Sequence, residues 1–97
     1  MRDVERLEVL WSGPLFRLRA GELSAADVDE VLSVVRSVGV GNADQVVDRR
    51  LVSLLWYLPL FVGWQSERVS ERGGDSALFA RLLDGVTNEV ERILGVP

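Results

Sequence analysis

The sequence predicts an all-α protein, a small bundle of about four helices with residues 1–97 as a single helical domain. Three observations carry this. Apolar residues recur at steps of three and four through four segments. Those segments have matching helix start and stop signals. The one stretch with strand-like alternation has no evident partner strand.

The first helix is expected over "DVERLEVLW", where Val4, Leu7 and Trp11 share a stripe. Asp3 and Glu5 sit at its start and Ser12-Gly13-Pro14 ends it. In the following "PLFRLRAGE", Phe16, Leu18 and Ala20 alternate with Arg17 and Arg19. A strand is conceivable there, but the reading is an extended connector or a helical turn.

The second helix has the clearest local signature. Ser24 can cap it and Asp27 can bond back as in a capping box, while Leu23 and Val28 are placed for a hydrophobic staple. Val28, Val31, Val35 and Val38 then step by three, four and three, and Gly39 supplies the stop. So many valines would suit a strand, but the cap, the staple and the length favour helix.

The third helix is expected to be long and central. It begins at Asn42, with Gln45 in a box-like position, and carries Val47, Leu51, Leu54, Leu58 and Phe61 as a heptad seam. Pro59 lacks an amide hydrogen and crowds the turn before it, so a kink or break is expected near Tyr57 or Leu58. Helix can resume through "WQSERVSER" as far as Gly73-Gly74. The fourth helix starts near Asp75 and places Phe79, Leu83, Val86, Val90 and Ile93 opposite Arg81, Asp84, Asn88 and Glu91. Acidic residues early in these helices and Arg36, Arg72 and Arg92 late in them suit the helix dipole.

Composition excludes much chemistry. There is no cysteine and no histidine, and all eleven basic residues are arginine. Thiol catalysis, imidazole bases, common zinc sites and Schiff-base or P-loop lysines are therefore absent, and no cofactor or small-molecule substrate is indicated. The absence of cysteine fits a reducing compartment, and no secretory signal is evident, so a cytoplasmic bacterial protein is expected. The formal charge of −4 disfavours nucleic acid and suits a basic protein partner.

The middle of the chain holds the most informative pattern. Residues 51–66 carry no charge, but Pro59 and Gly63 interrupt them. Their sixteen residues fall short of the ~20 needed to cross a bilayer, so no membrane span is expected. Val52, Trp56, Leu60 and Trp64 form a second stripe, four residues apart and outside the heptad seam. A helix apolar on every side is buried on every side. Either the third helix is enclosed by the others, or the second stripe meets another molecule. Trp56, Leu60 and Trp64 together represent roughly 400–500 Å², worth at most about 10 kcal/mol. A small domain does not readily leave that in water.

Other candidates are weaker. Asp44 with Asp48, and Glu67 with Glu71, are helix-spaced carboxylate pairs that could hold magnesium, although like charges at this spacing are ordinary on solvated faces. Residues 31–55 outline a helix-turn-helix with Arg49 and Arg50 near the start of the second helix, as in DNA-binding units. Asp44 and Asp48 would repel phosphate there. The glycine pairs read as helix stops, and Tyr57 as a packed residue. The expected function is non-enzymatic binding of another protein, in the manner of an immunity protein, antitoxin or adaptor, with a homodimer formed through Val52, Trp56, Leu60 and Trp64. A dimeric regulator using Arg49 and Arg50 is the alternative, and a small magnesium enzyme the third.

Overall fold

The structure, a computed structural model, describes residues 2–38 and 49–95. Those residues form six α-helices and no strand: α1 (Asp3–Leu10), α2 (Pro14–Arg19), α3 (Ala25–Arg36), α4 (Arg49–Trp64), α5 (Ser66–Glu71) and α6 (Ser76–Leu94). The all-α expectation is met. None of the described helices is long and apolar enough to cross a membrane.

The predicted starts are visible at atomic detail. The Ser24 side chain accepts a hydrogen bond from the Asp27 amide at 3.1 Å, and Asp75 Oδ1 accepts from the Ala77 and Leu78 amides at 2.9 and 3.1 Å. Each cap satisfies donors that have no partner within the helix. The expected return bond of a capping box does not form at Ser24, because the Asp27 carboxylate is taken by Arg17 on α2.

One open reading is decided and one expectation is corrected. Residues 14–19 are helical, with Pro14 in the first turn, where its missing amide hydrogen costs nothing. Leu15 and Leu18 are buried three residues apart while Phe16 points outward, so of the two readings the helical turn is the one that forms. The helix expected as the third is described only from Arg49, as α4, and it ends at Trp64. Among the described residues the third helix in chain order is α3, of twelve residues, and the longest is α6, of nineteen. The segment bearing Pro59 is α4, which remains α-helical across that residue. The interruption falls at Gln65, whose amide bonds back three residues to the Val62 carbonyl and whose side-chain amide donates to the Phe61 carbonyl at 3.0 Å. Gln65 is buried, so that side-chain bond satisfies a polar group that would otherwise be costly. The predicted start at Asn42 and Gln45, the seam residue Val47 and the Gly39 stop lie outside the described residues.

One apolar cluster draws on all six helices, with Leu7, Leu15, Val35, Leu55, Leu58 and Val86 among its fully buried members. α6 packs on α3, α4 and α5, and α1 packs on α2, α3 and α4. Gly85 of α6 faces Leu32 of α3. A Cβ there would lie 2.5 Å from Leu32 Cδ2, so a larger residue would force the buried leucine to shift. Gly21 does similar service between α2 and α5: its φ is +86° and a Cβ would lie 2.7 Å from the Arg68 carbonyl oxygen.

The Cα positions fill 46 × 28 × 18 Å. The shortest dimension holds little more than two layers of helices about 10 Å across. No helix in such a slab is enclosed on all sides, and α4 is not the central element that its composition suggested.

Candidate functional site

At about 100° per residue, the positions of α4 divide cleanly around its axis. Leu54, Leu55, Leu58, Phe61 and Val62 face the core and are buried. Val52, Trp56, Leu60 and Trp64 advance by about 40° per step along the other side, and Tyr57 falls about 20° beyond Trp64. Trp56 is 55% exposed, Leu60 54%, Trp64 63% and Tyr57 42%, whereas Val52 is half-buried. These five residues span an arc of roughly 140°. From residue 51 to 64 that arc contains no charged side chain.

The outer rings are held in place by one another. Trp11, at the C-terminus of α1, stacks on Tyr57 with centroids 6.0 Å apart and planes at 17°. Its edge also meets Phe61 at 5.8 Å. Tyr57 in turn makes a T-shaped contact with Trp64 at 5.8 Å. Aromatic pairs in these geometries each add about 0.5–1.5 kcal/mol beyond area burial. Tyr57 and Trp64 are therefore braced within the exposed face. Tyr57, read from sequence as simply packed, is packed on one side and exposed on the other. Its place in the patch was recoverable from its seven-residue spacing to Trp64.

Beside this face lies an apolar groove of about 250 Å³ between Trp56, Pro59 and Leu60 of α4 and Val90 and Leu94 of α6, with Thr87 and Glu91 also lining it. Pro59 has no amide hydrogen to present and offers only its ring. No pattern within α4 reveals this groove, because half of it comes from the other end of the chain. A larger, more open hollow of about 620 Å³ lies between α1 and α4, bordered by Glu8, Trp11, Arg50 and Tyr57.

Among the described residues the remaining candidates do not assemble into a site. Arg49 and Arg50 are exposed on the first turn of α4, and Arg50 Nε lies 3.3 Å from Glu8 Oε1. Among the described residues, α3 and α4 pack mainly on α1 and α6. Glu67 and Glu71 are exposed on α5. Asp44 and Asp48 lie outside the described residues. Among the described residues no group of three or more aspartates and glutamates is placed to hold a metal ion. Comparison with protein-family models, curated proteins and solved structures finds no match.

Proposed function

We propose that this chain is a non-enzymatic binding protein whose contact surface is the outer face of α4. Val52, Trp56, Leu60 and Trp64, joined by Tyr57, form that surface, and self-association is its first use. One observation carries the reading: two tryptophans and a leucine, each more than half exposed, share a helix face that carries no charge from residue 51 to 64. Together with Tyr57 they leave roughly 500 Å² of largely apolar surface in water, near the upper end of what monomers expose. At about 25 cal/mol per Å², covering it offers up to ~12 kcal/mol before the costs of association. Tryptophan and tyrosine are also the side chains that most often anchor interfaces. The charge of −4 would steer a basic protein toward the molecule and raise its rate of encounter. An immunity-protein, antitoxin or adaptor role suits these features, acting by covering a partner's surface rather than by chemistry.

The test is mass by light scattering on the wild type beside the Trp56→Glu/Trp64→Glu double variant. A dimeric wild type is expected, with a variant that keeps its helical circular dichroism and elutes as a monomer. A wild type that stays monomeric at high concentration overturns self-association. A double variant that remains dimeric overturns the assignment of this face.

A further inference from the structure

We infer that the α4–α6 groove receives a basic amphipathic helix of another protein, with a large apolar side chain seated between Trp56, Leu60 and Leu94 and a lysine or arginine beside it on Glu91. The inference rests on reading the outer face of α4 as a contact surface, and it adds the chemistry of the partner and the neighbouring helix that selects it.

Charge decides the kind of partner. Glu91 lines the groove and is exposed. Asp84, also exposed, precedes it by seven residues, which sets the two about 10 Å apart along α6 and only about 20° apart around it. Among the described residues neither carboxylate is paired with an arginine. The two arginines of α6 are engaged elsewhere, Arg81 with Asp29 on α3 and Arg92 with Glu89. Trp56, Pro59 and Leu60 on the opposite wall are uncharged. The groove therefore joins apolar walls to an uncompensated acidic margin. Leu94 and Gly95, at the C-terminal end of α6, also line it, and the helix dipole adds partial negative charge there. A cation is favoured at such a margin, whereas a phosphate or the acidic surface of a second copy is repelled.

Shape decides that the partner is a helix. Both walls are helical, so the groove offers side chains rather than the strand edge an extended peptide would pair with. A helix satisfies its own backbone and fills such a groove through side chains at steps of three, four and seven. The groove's 250 Å³ equals about eight waters at ~30 Å³ each, room for a leucine or phenylalanine side chain. Thr87 and Leu94 on the α6 wall are about 10 Å apart, so about two turns of a partner helix lie along it. Asp84 and Glu91 have that same separation. Two cations seven residues apart on the partner, with a leucine one turn from each, therefore match margin and walls together.

The probe is a labelled synthetic peptide of about eighteen residues, long enough to turn helical on the surface. Its leucines step by three and four along one face, arginines at seven-residue spacing flank them, and alanine and glutamine fill the rest. Anisotropy is expected to show saturable binding at micromolar chain. Glu91→Arg sets like charges together and should weaken it by more than about tenfold. Thr87→Trp keeps the charge, plugs the groove and should weaken it as much. Circular dichroism checks the fold of both variants. A shuffled peptide of the same composition, with no apolar face, should not bind. Absence of saturable binding, binding that either variant leaves intact, or equal binding of the shuffled peptide overturns the inference.

Trp56 and Leu60 serve both this groove and the outer face of α4, so excess peptide should also bring a dimeric wild type to the mass of one chain with one peptide. Glu91→Arg and Thr87→Trp lie on α6 and should keep the wild-type mass when no peptide is present. A dimer lost in Thr87→Trp would make a second copy the occupant, and pelleting of the wild type with phosphatidylglycerol vesicles would make it a lipid surface; either overturns the inference. A dimeric wild type that ignores the peptide removes this occupant and leaves the α4 surface standing. A monomeric wild type that binds the peptide removes self-association and supports this inference.

Discussion

Arg17 forks onto Asp27. Its Nε donates to Oδ2 at 2.8 Å and its Nη2 to Oδ1 at 2.7 Å, tying α2 to the first turn of α3. The two hydrogen bonds hold the Asp27 carboxyl below its ordinary value, against the opposing effect of burial, and the charge of Arg17 and the Ser24 hydroxyl add to the lowering. A depressed carboxyl stabilises the fold fully above its unfolded value of about 3.9. That stabilisation is lost as pH falls through the lower folded value. Asp27→Asn should therefore reduce Tm modestly at neutral pH, because Arg17 is open to solvent and its charge is screened. The difference from wild type should shrink to nothing in melts taken well below pH 4. A difference that persists at the acid end would assign the loss to something other than the ionised pair.

Leu58 and Leu60 separate the two faces of α4. Leu58 is fully buried and Leu60 is 54% exposed. Leu58→Ala should cost about 2–5 kcal/mol, the usual range for emptying a core leucine. Leu60→Ala should change the stability of a single chain by no more than about 0.5 kcal/mol. Urea titrations in the Trp56→Glu/Trp64→Glu background keep association out of the comparison. Equal costs for the two leucines would contradict the placement of α4.

Two helical glycines should respond in opposite directions. Gly63 on α4 has nothing within 4 Å of an added Cβ, so Gly63→Ala should stabilise by about 0.5–1 kcal/mol through the unfolded chain's entropy. Gly85 on α6 faces Leu32, so Gly85→Val should destabilise by about 1–3 kcal/mol through overpacking. Thermal melts of the two variants measure both signs.

The Trp11 indole N–H is buried without an acceptor among the described residues. An unpaired buried donor costs about 1–3 kcal/mol. Trp11→Phe removes that donor while keeping a ring against Tyr57 and Phe61. It should cost less than about 1 kcal/mol, and chemical denaturation would show it. A loss as large as that of Leu58→Ala would show that the indole's full area matters more than its stranded hydrogen.

Much of the inner face could be read in advance. Leu54, Leu58 and Phe61 are buried as their heptad spacing implied, as are Val28, Val31, Val35 and Val38. Leu55 and Val62 were not singled out, because a helix this apolar offers several stripes of equal quality. At 14–19 an accidental alternation left connector and helical turn both open, although Pro14 after Gly13 was a usable start signal. The break at Gln65 had no local signal: Pro59 was the obvious breaker, and the helix carries it.

The sequence by itself determined the helical class, the caps at Ser24 and Asp75, and the existence of an uncharged stripe through Trp56, Leu60 and Trp64. Those properties follow from periodicity and from hydrogen bonds within a few residues. Only the tertiary structure decided that this stripe faces outward, that Trp11 braces Tyr57, and that α6 supplies the far wall of a groove beside Pro59. Angular spacing places side chains around one helix axis but says nothing about which neighbours arrive. In a slab two helices thick, α4 has one sheltered side, and the leucine-rich face took it.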